Sequence, residues 1–301
     1  MFVIYVLLVC IFGALSHTCA KVVLRNDMPI YRFLAIRIVA GTLASLILYL
    51  AMLDPGQPHC FQTLEPFLPA LWLGILVPFG SNVFYFEALR RGDLCVVAPA
   101  GHIAPLFVAL LAWPLLHEVP NTGVGIALAL IVAGLVLSSR SRHHHHPTAG
   151  AWIVLPVLLA SGTSLCNSFN YVFQKKLMHE LPKADINLLQ NVTSLVLFAL
   201  YYLWATRSRK RGSPATPEQH PWRNVWLTVA SGVLVFALSN LLLLMAIAKA
   251  PTVSIVMVLA TLGVPTSALA GWVLLRERPR TIQLAGGGLI FLGAVIAKLA
   301  G

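Results

Sequence analysis

Charge is what this chain has least of. Asp, Glu, Lys and Arg make up 10% of its 301 residues, against roughly a quarter in soluble globular domains. Acids are scarcest: there are ten, and each lies between apolar runs or at the end of one. An intramembrane enzyme working through buried carboxylates is therefore not expected. The five cysteines (Cys10, Cys19, Cys60, Cys95, Cys166) form no CxxC pair, and four of them fall inside apolar runs, where they act as small hydrophobes; no disulfide framework is implied. No GxSxG, Walker A or GxGxxG sequence occurs, which argues against ATP-driven pumping and the common hydrolase or dinucleotide sites. His117-Glu118-Val119-Pro120-Asn121 lacks the second histidine of a zinc-protease HExxH, and Pro120 would break the helix that motif needs. No catalytic residue, metal or cofactor is predicted. No stretch alternates as membrane-barrel strands do. No Lys or Arg precedes the first apolar run, so that run is expected to be a retained helix and not a cleaved signal.

What remains is long apolar runs. Hydrophobic residues make up 58% of the chain, and the mean hydropathy is +0.82. A membrane-spanning helix needs about 20 mostly apolar residues. That measure predicts helices near 2–20, 30–52, 66–89, 94–116, 122–139, 150–176, 185–205, 223–247, 252–275 and 281–299. Because backbone groups in lipid must be satisfied within the segment, the expected fold is an all-α polytopic membrane protein.

Residues 88–138 recur near the C-terminus as residues 246–297. Ala88-Leu89-Arg90-Arg91 answers Ala246-Ile247-Ala248-Lys249, Pro105 answers Pro265, Leu116-His117-Glu118 answers Leu275-Arg276-Glu277, and Gly134 answers Gly293. These two blocks resemble the paired domains of the EamA-like branch of the drug/metabolite transporter superfamily. The resemblance implies about ten helices in two five-helix halves, residues 1–139 and 150–301, joined by a basic, histidine-rich linker at 140–149. Two copies of an odd-helix unit enter a membrane in opposite senses, so the halves form an inverted repeat with a site at mid-depth between them. The resemblance also makes amino acids and related metabolites plausible cargo and export a common direction. The small multidrug relatives use a mid-helix glutamate in their first helix. This first helix has none, and their cation-for-proton exchange does not carry over.

The formal charge of +11 would suggest nucleic acid in a soluble protein. Here the basic residues occupy the links, as topology selection requires. Odd-numbered links hold Lys21, Arg25, Arg32, Arg90, Arg91, Arg140, Arg142, Arg207, Arg209, Lys210, Arg211, Arg223, Arg276, Arg278 and Arg280; even-numbered links and the C-terminus hold Lys175, Lys176, Lys183, Lys249 and Lys298. That distribution puts the odd links in the cytoplasm and both termini outside. Nucleic acid is not an expected partner; the expected partners are a small-molecule substrate and the lipid bilayer, with the chain a monomer or homodimer. His143-His144-His145-His146 reads as solvated linker, since adjacent loop residues do not preorganise a tetrahedral metal site.

Polar residues inside apolar runs are the candidate site. His17, Arg37 and His102 are the ionisable ones, with Arg37 or His102 suited to a negative group on a substrate. Amides form a second set: Asn82 with Tyr85 on one face of the third helix, a stripe of Asn167, Asn170 and Gln174 on the sixth, Asn187 with Gln190 and Asn191 on the seventh, and Asn240 on the eighth. Such amides also serve as interhelical glue, but their spread over both halves favours a shared cavity. The predicted substrate-binding set is His17, Arg37, Asn82, Tyr85, His102, Asn167, Asn170, Gln190, Asn191 and Asn240. Pro99, Pro105 and Pro265 would open the backbone in the fourth and ninth helices. Small residues at four-residue spacing on the fifth helix (Gly125, Ala129, Ala133), and Gly286, Gly293 and Ala297 on the tenth, suggest close helix contact. Glu118 and Glu277 are expected to cap the following helices or to pair with a nearby base such as Arg276 or Arg278. The function expected is an inner- or plasma-membrane secondary carrier of a small organic metabolite working by alternating access. The alternatives are an intramembrane lipid-modifying enzyme and a non-transporting scaffold or receptor subunit.

Overall fold

The computed structural model describes residues 2–26, 28–52, 72, 74–91, 100–119, 121–139, 149–209, 220–276 and 281–300. Among them every regular element is helical: α1 (Phe2–Arg25), α2 (Ile30–Ala51), α3 (residues 75–91, of which Ile75–Ser81 is π-helical), α4 (Ala104–Leu116), α5 (Thr122–Ser139), α6 (Ala149–Leu177), α7 (Lys183–Arg209), α8 (Pro221–Lys249, with Val233–Ser239 π-helical), α9 (Val253–Ala260), α10 (Gly263–Leu275) and α11 (Thr281–Ala300). By length and composition α1, α2, α7, α8, α11 and the run of α9 with α10 can each cross a membrane. Their outer surface is apolar, with Ile47, Val196 and Trp272 exposed. In water such a surface would associate; facing lipid, it is the favourable one.

Three local features occur twice. Each π-helical segment is seven residues long and ends in a serine that an asparagine follows, Ser81-Asn82 and Ser239-Asn240. Each carries the chain into a ten-residue helix end, Asn82–Arg91 and Asn240–Lys249. Each later helix is broken: His102 and Ile103 interrupt the helix ahead of α4, and Thr261 and Leu262 separate α9 from α10. α4 and α10 are each 13 residues long and close on a left-handed residue, His117 (φ 56°) and Arg276 (φ 58°), whose N–H reaches back to Ala112 O and Gly271 O. Sequence reasoning gave 94–116 and 252–275 as single spans whose backbone Pro99, Pro105 and Pro265 would open; the interruptions fall at His102-Ile103 and Thr261-Leu262, just ahead of Pro105 and Pro265. Pro105 and Pro265 sit in the first turn after each break, where a missing N–H costs no helical bond. Pro99, Glu277, His143–His146 and Arg211 lie outside the described residues.

α5 packs on α11 and α2 on α7. The α5–α11 contact is close because Gly134 and Gly293 have no side chain: a Cβ on Gly134 would lie 2.7 Å from Gly286 O, and one on Gly293 2.9 Å from Ala127 O. Gly286, Gly293 and Ala297 face this contact as expected. Gly125, Ala129 and Ala133 do not; they are exposed. Small-residue spacing permits close approach on a face, and the burial of Leu128, Ile131 and Leu135 selects the other one.

The links gather at two ends. At one, Asn121 Nδ2 donates to Ala300 O (2.6 Å), Lys249 lies against Tyr5 and Lys298 over the Phe2 ring. Glu118 there pairs with Lys175 and accepts the Val253 N–H (2.9 Å). Of the two roles expected for Glu118, the pairing with a base holds, with Lys175 as the base and not Arg276 or Arg278; the cap on α5 is Asn121, whose Oδ1 accepts from Val124 N (2.9 Å), and Glu118 ties α4 to α6 and α9. At the other end Asn26 Nδ2 donates to Asn224 Oδ1 (2.7 Å), and Met28 meets Thr228. Two apolar clusters sit towards these ends. Along α1 the first takes Val6 and Cys10, the second Ala20 and Val23. Between them, at Gly13 to His17, the interior opens.

Candidate functional site

The opening is a cavity of about 250 Å³. It is lined by α1, α2, α3, α6, α7, α8 and both broken helices. Nine of the ten candidate residues line it: His17, Arg37, Asn82, Tyr85, His102, Asn167, Gln190, Asn191 and Asn240. Asn170 does not. It is fully buried outside the cavity, and neither its Nδ2 nor its Oδ1 has a partner among the described residues. On α6 the cavity stripe is Thr163, Asn167 and Tyr171, at i, i+4 and i+8. The expected stripe, three or four residues further round, points partly into the neighbouring helices.

Arg37 is the charged centre. Its side chain is 2% exposed, Nη1 donates to Asn82 Oδ1 (3.0 Å) and Nη2 to Ser16 Oγ (3.1 Å). Ser16 is itself held by Ser231, Oγ to Oγ at 2.7 Å. The guanidinium carbon lies 5.2–5.6 Å from the ring centres of Phe33, Phe86 and Phe236, within cation–π range. Gly232 lets α8 come this near, because a Cβ there would collide with the carbonyl of Arg37. His17 and Tyr85 form a tilted ring pair (5.8 Å) beside it.

A second group is made of amides. Gln174 Nε2 donates to Gln190 Oε1 (2.9 Å), Asn240 Nδ2 to Asn187 Oδ1 (2.6 Å), and Asn191 Nδ2 to Ser45 Oγ (2.7 Å) and Phe236 O (3.0 Å). The last bond shows what the π-helix supplies. In a π segment the backbone register slips, and its carbonyls are taken by side chains of other helices: Phe236 O by Asn191, Ser81 O by Thr163 (3.2 Å). The breaks are treated alike. Ser164 donates to Ala100 O (2.9 Å), and the Cys10 thiol reaches Ala260 O (3.7 Å). Asn167, His17 and His102 line the cavity without a hydrogen-bond partner among the described residues.

Comparison with known proteins now decides the family. The EamA-like transporter family matches residues 1–140 and again residues 154–299. The chain belongs to the EamA-like transporter family. An uncharacterized protein of Methanocaldococcus jannaschii is 29% identical over 135 residues, which are 45% of this chain and 93% of that one. A protein of known crystal structure, 17% identical, superposes with a TM-score of 0.76 over 99% of this chain and 96% of its own; at that identity the likeness speaks for fold alone. The EamA-like chain is thus a multi-pass, all-α membrane protein of a transporter family.

Several cavity residues of this EamA-like protein escaped the sequence reading: Ser81, Ser239, Thr163, Tyr171, Thr261 and Ser267. Hydroxyls within apolar runs are common and carry little signal singly. Ser81-Asn82 and Ser239-Asn240 did carry one, because both pairs stand six residues ahead of the matched Ala88 and Ala246. Ser16 and Ser45, which hold Arg37 and Asn191, had no such marker.

Proposed function

We propose that this chain is a secondary carrier that moves a small organic metabolite across the inner or plasma membrane by alternating access. The observation that carries the reading is the cavity: about 250 Å³, between the two apolar clusters, lined by polar groups from both copies of the matched family unit. Residues 1–139 and 150–301 are read as antiparallel halves joined by the 140–149 linker. The duplicated π segments, broken helices and left-handed caps support the duplication, as does a relative made of little more than one unit. Broken helices at a midplane site are how carriers free backbone and side-chain groups for a solute.

Both termini gather with the Glu118, Lys175 and Lys249 links, and the Asn26–Asn224 contact, beside Arg25 and Arg223, lies at the opposite end. The positive-inside rule then places the arginine-rich end in the cytoplasm. With no Asp or Glu among the described residues lining the cavity, the solute moves by exchange or down its own gradient. The test is a solute screen in vesicles containing the purified chain, with and without a pH gradient. Counterflow of a small organic solute, absent from protein-free vesicles and independent of the pH gradient, is the expected result. No saturable flux of any solute would remove the reading.

A further inference from the structure

The charge inside the cavity selects among the solutes a carrier can take; this inference rests on the carrier reading above. Arg37 is the one Arg, Lys, Asp or Glu among the described residues lining the cavity. Its guanidinium has five N–H donors. One goes to Asn82, one to Ser16, and Nε has no partner. No carboxylate pairs with it among the described residues; the ion pair Glu118–Lys175 belongs to the end of the molecule where the termini gather. Three aromatic rings soften the charge, but a cation–π contact replaces only part of a counter-ion. A second observation points the same way. The N-terminal ends of α4 and α10, at Ala104 and Gly263, line the same cavity, and helix N-termini carry partial positive charge. The carbonyls just before each break, which would offset that charge, are engaged by Ser164 and Cys10.

We propose that the carried solute is an organic monocarboxylate with a net charge of minus one, its carboxylate against Arg37 and its apolar part against Tyr85, Phe236, Leu243 and Met257. Neutralisation sets the preference. A monocarboxylate makes the loaded cavity neutral, the state that crosses a low-dielectric midplane at least cost. A zwitterionic amino acid brings an ammonium that meets no carboxylate in the described lining, so its loaded cavity keeps a positive charge. A neutral amide leaves Arg37 uncompensated. A bidentate guanidinium–carboxylate pair adds geometric selectivity, since the planar fork matches the two oxygens.

The experiment compares acetate, 4-methylpentanoate and phenylacetate with their primary amides and with glycine, leucine and phenylglycine. Binding to the purified full chain is read by thermal shift and calorimetry, and exchange in proteoliposomes. At least one carboxylate should bind about tenfold or more tightly than both its amide and its amino acid, and should exchange across the vesicle. Arg37→Gln should abolish the preference, and Arg37→Lys should retain part of it. Because the ligand comparison uses the native chain, it stands even if Arg37→Gln fails to fold. Equal or tighter binding by an amide or an amino acid, or no binding by any of the carboxylates, overturns the proposal. Exchange of leucine in that case leaves the carrier reading intact. Binding of a carboxylate with no exchange overturns the claim that a monocarboxylate is the carried solute, while saturable flux of any other solute leaves the carrier reading standing.

Discussion

Asn167 and Asn240 are the same residue type in the same cavity, yet their surroundings assign them different work. Asn240 donates to Asn187 and accepts from Gln174, so it is a member of a buried network. Replacing it with Leu removes the shorter bond to Asn187 Oδ1, leaving it the 3.5 Å bond from Asn191, and takes one of the two bonds of Gln174 Nε2; a weakened buried network of this kind costs about 1–3 kcal/mol. Asn167 lines the cavity and holds no protein partner among the described residues. Asn167→Ala should leave the unfolding temperature nearly unchanged while raising the KM for the carried solute several-fold. Asn240→Leu should lower the unfolding temperature by several degrees and depress transport with it. Thermal unfolding in detergent and initial-rate uptake separate the two; the reverse pattern would exchange their roles. Arg37 stands apart from both. It spends two donors on positioning and retains its charge, which is why it, and not the amides, sets the character of the site.

The helices show which features of the site came from local chemistry. α4 and α10 each end on a residue with positive φ that is not glycine, His117 and Arg276. A left-handed conformation costs a side-chain-bearing residue about 1–2 kcal/mol. His117→Gly should therefore raise stability by about 1 kcal/mol, and Arg276→Gly likewise, measured as an increase in unfolding temperature. Gly134→Ala should do the opposite by about 1–3 kcal/mol through overpacking against α11. If Gly134→Ala proved neutral, α5 and α11 would not be in the close contact described. The helices themselves were legible in the sequence because their apolar runs are long and the links between them short. That two of them open was legible from their prolines; where they open was not. Each proline lacks the N–H that would bond the carbonyl four residues back, on Gly101 or Thr261, but the interruption spans His102-Ile103 and Thr261-Leu262, and the carbonyls left over are satisfied by Ser164 and Cys10 from other helices. Those tertiary partners settle the position, which propensity alone does not reveal. Rotation about the helix axis was the other illegible quantity: it moved the α6 stripe from Asn170 and Gln174 to Thr163 and Tyr171, and the α5 contact from Gly125 to Gly134.

At the scale of the whole molecule, two copies of one family unit enclose a polar cavity in an otherwise apolar interior, with the contacts of the termini gathered at one end. The links at that end are tied by Glu118, which holds α4 to both Lys175 and the start of α9. A carrier working by alternating access must break that tie when the cavity opens towards it. The central claim is that the cavity is reached from both faces in turn. The direct measurement uses the full chain with its five cysteines replaced and a single cysteine introduced by Asn167→Cys, reconstituted in vesicles of known orientation. A membrane-impermeant maleimide is then added to one face at a time. The account predicts labelling from either face, loss of solute flux upon labelling from either, and protection by the carried solute. Labelling from one face only, or labelling that leaves flux intact, would contradict it.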